Sequence, residues 1–299
     1  MRYFFKSTEL VKRRTGFGIL IITIALIWSA ACQTVVHESP IIWQPSVAQE
    51  RPILNQWLSE RQLNNEEQID ELSLWLTAIH GQTVDTAFLV GSYQLGQATY
   101  RSVLLRTTDG GSTWEEVGQG ISEATLFGIN FVDSKRGFIY GQLTTGDPEP
   151  PFILHSDDGG ASWIRVGGIE AEGAPAIHAF GFTDARHGHI KLLFHAVGST
   201  PEKPHRNEVY ETNDGGKTWV RTESKFISDD DVVQLAATMT DNTFHRHNGV
   251  VWRLEEVGRD AWTHGYWITR SLDDGVSSER VSRFARHPFS PKPGELEVD

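Results

Sequence analysis

Short runs in which apolar and polar residues alternate recur between glycine-rich turns along residues 75–283. Short apolar segments follow them within a unit, such as Gly137–Gly141 (GFIYG) and Phe152–His155 (FILH), which we predict as its second and third strands. Alternation with a period of two places every second side chain on one face and is typical of β-strands, whereas helices repeat every three to four residues. The pattern therefore predicts many short antiparallel strands.

One eight-residue turn motif occurs four times. The copies read TTDGGSTW, SDDGGASW, TNDGGKTW and SLDDGVSS, at 107–114, 156–163, 212–219 and 271–278. Their central aspartates, Asp109, Asp158, Asp214 and Asp273, are 49, 56 and 59 residues apart. The fourth copy has lost the tryptophan that ends the other three. A period near 50 with about four short strands per unit is typical of propeller blades.

A second motif lies upstream of each copy and stays in phase with it. GINFVDSKRGFIYG at 128–141 parallels AFGFTDARHGHIKL at 179–192, and weaker copies surround Asp85 and Asp241. Two motifs that repeat in phase predict an all-β propeller of four-stranded antiparallel blades. Four blades are visible, and residues 33–74 leave room for a fifth.

The residue types of the turn motif indicate that it stabilises a turn rather than catalyses a reaction. Its aspartates can accept hydrogen bonds from backbone N–H groups. The fifth position holds Gly111, Gly160 and Gly216, and the eighth holds Trp114, Trp163 and Trp219. Glycine supplies a positive φ there, and we expect the indole rings to be buried between sheets. The sequence predicts no catalytic residue, no cofactor site and no metal site in these motifs.

The N-terminus has the pattern of an export signal. Basic residues up to Arg14 precede an uncharged apolar run at 16–31, and the single cysteine, Cys32, follows at once. A positive end, an apolar core and small residues before a cleavage site are typical of secretory signals. Ser29-Ala30-Ala31-Cys32 resembles a lipoprotein signal, which implies a lipid on Cys32. An uncleaved membrane anchor and simple cleavage stay open.

These patterns divide the chain into five parts and place it outside the cytoplasm, at a membrane, in the periplasm or on the cell surface. The parts are a targeting segment (1–31), a tether (32–50), a helix or degenerate blade (51–74), the propeller (75–286) and an irregular tail (287–299).

The net charge of the chain argues against a nucleic acid as its partner. The formal net charge is −12, and residues 1–31 carry +4, so the remainder carries −16. Nucleic-acid binding draws most of its affinity from Lys and Arg, so an acidic body argues against such a partner. One cysteine excludes an internal disulfide framework.

Other candidate chemistry is sparse. His187 with His189, and His245 with His247, have a spacing that suits a metal pair on a strand, but we expect them to be exposed turn histidines without a metal. The sequence contains neither a glycine-rich phosphate loop before a helix nor Gly-x-Ser-x-Gly. Carboxylates are plentiful, so a glycoside hydrolase stays open.

The pattern Ser/Thr-x-Asp-x-Gly-x-Ser/Thr-Trp resembles the Asp-box, or bacterial neuraminidase repeat. The resemblance implies the fold but no single function, since sialidases, sortilin-like receptors and glycan hydrolases share it. The Phe-x-Asp-x-x-x-Gly elements at 131–137 and 182–188 are most similar to those of photosystem II assembly propellers. This implies an exported assembly or protein-binding scaffold rather than an enzyme. A glycan-binding protein or a sialidase-like hydrolase is the alternative.

Partner contacts are expected in the loops that vary between repeats. Residues 142–151 and 196–207 carry prolines and charges and lie outside the repeated motifs. Propeller loops of this kind often hold function.

Overall fold

The computed structural model describes residues 52–62, 72–96, 99–144, 151–169, 175–194, 205–237, 241–258 and 265–286. Helix α1 spans Pro52–Glu60, so this part of the 51–74 segment is a helix rather than a blade. Its buried side chains, among them Leu54 and Trp57, join the core beside the first sheet. In the part of the chain that the structure describes, no helix is long and apolar enough to span a membrane.

The described residues form sixteen strands in four antiparallel sheets, each with its strands in chain order. Blade 1 contains β1 (Leu72–Gly81), β2 (Ala87–Leu95), β3 (Thr99–Thr107) and β4 (Glu115–Glu116). Blade 2 contains β5 (Ala124–Phe131), β6 (Gly137–Leu143), β7 (Phe152–Ser156) and β8 (Ile164–Gly168). Blade 3 contains β9 (Ala176–Phe182), β10 (Gly188–Phe194), β11 (His205–Thr212) and β12 (Val220–Ile227).

Helix α2 (Asp229–Ala237) precedes blade 4, which contains β13 (Phe244–His247), β14 (Val250–Val257), β15 (Gly265–Ser271) and β16 (Glu279–Ala285). Neighbouring strands within each blade are antiparallel throughout. The predicted fold, an all-β propeller of four-stranded antiparallel blades, is confirmed.

Three hydrophobic clusters join neighbouring blades, and we call each of these contacts a seam. Representative members are Trp252 and Leu89 between blades 4 and 1, Phe88 and Phe131 between blades 1 and 2, and Phe138 and Phe182 between blades 2 and 3. The last two rings stack with centroids 3.5 Å apart. Burial of apolar surface is the main stabilising contribution here, at about 25 cal/mol per Å². Among the described residues, no such cluster joins blade 3 to blade 4.

Candidate functional site

The four turn motifs share one hydrogen-bond geometry, which Asp158 illustrates. Its Oδ1 accepts bonds from the Ser156 hydroxyl at 2.8 Å and the Ser162 amide at 2.9 Å, and its Oδ2 accepts one from the Ser162 hydroxyl at 2.6 Å. The Gly160 amide donates to the Ser156 hydroxyl at 2.9 Å, with a φ of 87° that favours glycine. The carboxylate thus ties the two ends of the turn together.

The fourth copy, SLDDGVSS, keeps this hydrogen-bond geometry although it lacks the tryptophan and the Gly-Gly pair of the other copies. Asp273 accepts bonds from the Ser271 hydroxyl at 2.7 Å and from the amide and hydroxyl of Ser277 at 2.8 and 2.6 Å. Asp274 takes the fourth position with a φ of 62°, where the other copies have glycine. Aspartate tolerates the left-handed region better than most residues. Loss of the Gly-Gly pair has therefore not changed the turn.

These donors stabilise the ionised form of the aspartates. Hydrogen bonds from the hydroxyls of Ser162, Thr218 and Ser277 are the largest cause that lowers the pKa of Asp158, Asp214 and Asp273 to about 2. For Asp109, burial raises the pKa, but hydrogen bonds led by the Thr113 hydroxyl outweigh it, and the pKa is lowered. Carboxylates saturated by their own turn are suited to a structural role.

Each tryptophan of the motif packs into the seam with the preceding blade. Trp163 lies edge-on to Phe131 with centroids 5.8 Å apart, and Trp219 lies edge-on to Phe182 at 5.9 Å. Trp114 donates from Nε1 to the Ser282 hydroxyl of blade 4 at 3.0 Å. The fourth copy has Ser278 at this position, and the blade before it is blade 3. The tryptophan is therefore missing at the place where the fourth seam would lie.

The second strands of the blades can be aligned through their pairing with the third strands. Ala87, Gly137, Gly188 and Val251 are each opposite the first residue of a turn motif. The next two positions then point to opposite faces of the sheet. Facing the following blade are Phe88, Phe138, His189 and Trp252; facing the preceding blade are Leu89, Ile139, Ile190 and Arg253.

This alignment shows that both faces of the fourth seam are polar. Blade 3 presents His189 and Lys191 where blades 1, 2 and 4 present apolar residues. Blade 4 presents Arg253 and Glu255 where the other blades present leucine, isoleucine or glycine. Charged side chains lose hydration when buried without partners. These two faces are therefore not built to pack as the other three pairs do.

The polar face of blade 4 forms a basic and aromatic surface, which we call the arginine face. Its members come from all four strands of the blade and are Phe244, Arg246, Arg253, Glu255, Trp267, Thr269, Arg280 and Arg283. Register brings Phe244, Arg253, Thr269 and Arg280 into one row across the sheet. Asp274 pairs with Arg246 at 3.4 Å. Four arginines against Glu255 and Asp274 still make this face positive on an otherwise acidic protein.

The guanidinium groups stack on the two aromatic rings. The Cζ atoms of Arg253 and Arg246 lie 5.2 and 5.8 Å from the centroid of Phe244. Those of Arg280 and Arg283 lie 4.8 and 5.7 Å from the centroid of Trp267. Arg246 also pairs with Asp274, its Nε lying 3.4 Å from Oδ1. Stacking restricts a side chain that would otherwise be mobile, and a stacked guanidinium such as that of Arg253 or Arg280 is suited to pair with a carboxylate in bidentate fashion. Arginine and aromatic residues are also the residues enriched at protein interfaces.

Sequence reasoning missed the arginine face, although a charge signal was available. Residues 32–240 contain 14 basic and 28 acidic residues, whereas residues 241–286 contain seven of each. Blade 4 is thus neutral within a strongly acidic body. Apolar and charged residues alternate from Trp252 to Glu255, and this pattern indicates a strand with one charged face.

The other predicted sites are accounted for only in part. Cys32, residues 145–150 and residues 196–204 lie outside the described residues. The described end of the second loop serves the fold, since Arg206 pairs with buried Glu208 at 2.9 Å and Asn207 bonds His178 at 3.1 Å.

The two histidine pairs have different surroundings. His187 is exposed and pairs with Asp184 at 2.8 Å, as a turn histidine should. For His245 the exposed-turn interpretation is wrong, because its ring lies against buried His80. In the described ranges, no group of three or more His, Cys, Asp or Glu is arranged to hold a metal ion.

Comparison with known proteins supports the resemblance seen in the repeats. Residues 63–185 match the family model of the photosynthesis system II assembly factor YCF48. The photosystem II assembly lipoprotein Ycf48 of Synechococcus sp. (strain CC9902) is 28% identical over 136 residues, covering 44% of this chain and 32% of the relative. The match thus spans about a third of that relative's length. The predicted likeness to photosystem II assembly propellers is confirmed; blade 4 lies beyond the residues that the family model matches.

Solved structures with detectable similarity include two of Ycf48. One, described as YCF48 bound to D1 peptide, is 15% identical with a TM-score of 0.35, over 73% of this chain and 84% of that one. The other, YCF48 from Cyanidioschyzon merolae, is 18% identical with a TM-score of 0.33, over 71% and 56%.

Proposed function

We propose that this protein is an exported, membrane-anchored scaffold that holds a partner protein during assembly of a larger complex, with the arginine face as its contact surface. The observation that carries the proposal is the change of polarity at one repeat position. Leucine or isoleucine occupies that position in three blades, and Arg253 occupies it in blade 4. A sheet face kept basic and aromatic is suited to an acidic polypeptide.

The family match supports the assembly part of this proposal. The matched model describes an assembly factor, and the curated relative is an assembly lipoprotein. Cys32 after an apolar run is the corresponding feature of this chain. A lipid on Cys32 would hold the propeller at a membrane surface, where a membrane-protein client is assembled.

Binding to a defined peptide tests the contact surface. We would measure fluorescence anisotropy with a labelled Glu-rich peptide and a matched Gln peptide, using wild type and Arg280→Ala. A D1 peptide would serve as a second probe. We expect Arg280→Ala to weaken binding of the Glu peptide about tenfold, since loss of one charge-assisted pair is worth about 1.4 kcal/mol or more. Binding should also weaken as salt rises.

Arg165→Ala is the matched control, because Arg165 also stacks on a phenylalanine, with its Cζ 5.1 Å from the centroid of Phe152, but in blade 2. It should bind the Glu peptide as wild type does. Equal binding of the Glu and Gln peptides, or equal losses in both variants, would contradict the proposed surface.

Labelling with a fatty-acid probe in cells tests the anchor separately. Cys32→Ala should abolish labelling and release the protein from the membrane fraction. Unchanged labelling of Cys32→Ala would rule out lipidation at this residue.

A further inference from the structure

Three histidines lie together at the seam between blades 4 and 1. His80, on β1, is 4% exposed, and the centroid of its ring is 3.7 Å from that of His245 on β13. The ring of His247 is 6.5 Å from that of His245. The ring of Phe131 in blade 2 is tilted against that of His80, with centroids 5.4 Å apart. Two imidazoles at this distance cannot both be charged without strong repulsion.

Within the described ranges, no acidic side chain influences the charge of these rings. His245 is opposite Trp252 of β14, and Nδ1 of His245 is buried without a hydrogen-bond partner. A backbone hydrogen bond with Gly81 favours the charged form of His245. In the part of the chain that the structure describes, the titratable groups that influence His80 and His245 are the histidines of this cluster.

Burial is therefore the main influence on the titration of these rings. It lowers the pKa of His80 well below its usual value, and the charges of His245 and His247 lower it further. Burial followed by the charge of His247 lowers the pKa of His245 to about 4. Both rings are neutral at pH 7 in the closed seam.

Strand β13 connects this cluster to the arginine face. Its four residues alternate, so that His245 and His247 point toward blade 1 while Phe244 and Arg246 belong to the arginine face. Phe244 is the ring on which Arg246 and Arg253 stack. A shift of β13 at the seam therefore moves the platform under two of the four arginines.

Several polar contacts across this seam involve β15, β16 or the residue after it, away from β13. Trp114 donates to the Ser282 hydroxyl at 3.0 Å, Arg270 to the Val84 carbonyl at 3.0 Å, and the Leu74 amide to the Arg286 carbonyl at 2.6 Å.

Two further contacts lie nearer to β13. Nε1 of Trp252 donates to the Thr83 carbonyl across the seam at 3.1 Å. The Ile79 amide donates to the Asn242 carbonyl, just before β13, at 2.8 Å.

We propose that protonation of His80 and His245 opens the seam between blades 4 and 1, displaces β13 and releases the partner from the arginine face in mildly acidic medium. Release of a partner rests on the proposed function, whereas opening of the seam does not. The folded-state pKa values lie below the ordinary 6.5, so the seam is fully stable above about pH 6.5 and loses stability as the pH falls toward 4. For His245, whose pKa in the closed seam is about 4, release to an ordinary pKa of 6.5 favours the open seam by about 30-fold between pH 7.5 and pH 5. The lowered pKa of His80 acts in the same direction.

Hydrogen–deuterium exchange with mass spectrometry would test the opening. Exchange in segments 78–81 and 244–247 is compared, at pH 7.5, 6.5, 5.5 and 5.0, with exchange in segments 129–131 and 138–141 of the seam between blades 1 and 2. The ratio removes the intrinsic pH dependence of exchange. We expect the ratio to rise at least tenfold at pH 5 in wild type, and to rise much less in His80→Phe and in His245→Asn. His187→Asn, which removes an exposed histidine, should behave as wild type.

Anisotropy with the Glu peptide at the same pH values completes the test. We expect its affinity to fall with the opening in wild type and His187→Asn, and to fall less in His245→Asn. A ratio that stays constant with pH, or that rises equally in all variants, would overturn the switch. If the seam opens at low pH but affinity for the Glu peptide does not fall, the proposed coupling between the histidine cluster and the arginine face is wrong. If the peptide does not bind at any pH, the proposed function fails, while the exchange ratio still decides whether the seam opens.

Discussion

The three closed seams and the two faces of the missing fourth seam use the same backbone with opposite chemistry. In the closed seams, second-strand residues such as Phe138 and Ile139 are buried against neighbouring blades. At the equivalent positions, blade 3 has His189 and blade 4 has Arg253. The polarity of two strand positions thus separates the blade faces that pack in an apolar seam from the two that do not; availability of the polar face to a partner is part of the proposed function.

The turn motifs follow the same division. Trp114, Trp163 and Trp219 each pack into a closed seam, and the copy without a tryptophan belongs to the blade that lacks an apolar seam before it. The hydrogen bonds around Asp273 are nevertheless intact. The turn geometry is therefore kept in every blade, whereas the tryptophan is kept only in the blades that have an apolar seam before them among the described residues.

The largest expected effect comes from an aromatic residue in a closed seam. Phe138→Ala removes a fully buried ring stacked on Phe182, and we expect it to lower the free energy of unfolding by about 3–5 kcal/mol. Trp267→Ala, on the arginine face, should cost about 1 kcal/mol or less. Urea denaturation followed by circular dichroism measures both. Equal losses would show that the arginine face is buried like a seam.

A turn aspartate should have a smaller effect. Asp158→Ala removes the acceptor for two hydroxyls and one amide, and we expect the melting temperature to fall by about 2–6 °C. Asp157→Ala, at the adjacent and exposed position, is the control; it removes one contact, with the His155 ring at 3.3 Å, and should lower the melting temperature less than Asp158→Ala does. Differential scanning fluorimetry gives both values. A stable Asp158→Ala variant that no longer binds its partner would show that the aspartate acts in binding instead.

Acid should erase the effect of Asp158→Ala. The folded-state pKa of Asp158 is lowered from 3.8 to about 2, so its stabilising contribution is complete above about pH 3.8 and is lost as the pH falls to 2. The melting temperatures of wild type and variant should therefore converge across that range. A constant difference between pH 4 and pH 2 would mean that the ionised carboxylate is not what stabilises the turn.

The smallest effect is expected from restoring the missing tryptophan. Ser278→Trp completes the fourth motif, yet the face behind it is polar, so we expect the free energy of unfolding to change by less than about 0.5 kcal/mol. Trp219→Ala, which empties the same position in blade 3, should cost several times more. A clear stabilisation by Ser278→Trp would show that blades 3 and 4 share an apolar contact.

Much of the fold could be predicted from the sequence because its signals are local. The hydrogen bonds of an Asp-x-Gly turn are made by hydroxyls and amides within the same eight residues, so the motif alone predicts the turn. Its four copies predict the four blades. The arginine face could not be predicted in the same way. Arg253 and Arg280 meet only through the register of three strands, and which face of β14 lies toward which blade depends on the order in which the blades pack.

The histidine cluster was missed for a related reason. His80 and His245 belong to different blades and meet only where blade 4 packs against blade 1. The spacing of His245 and His247 predicts that both rings lie on one face of a strand, but it does not predict which blade this face contacts.

Arg253→Ile tests the central claim most directly, because it gives blade 4 the type of residue that Leu89, Ile139 and Ile190 provide in the closed seams. Affinity for the Glu peptide and the melting temperature would be measured on the same preparation. We predict that binding weakens about tenfold while the melting temperature changes by less than about 2 °C. Unchanged binding together with a markedly higher melting temperature would contradict the account, since it would mean that this face closes a seam and does not hold a partner.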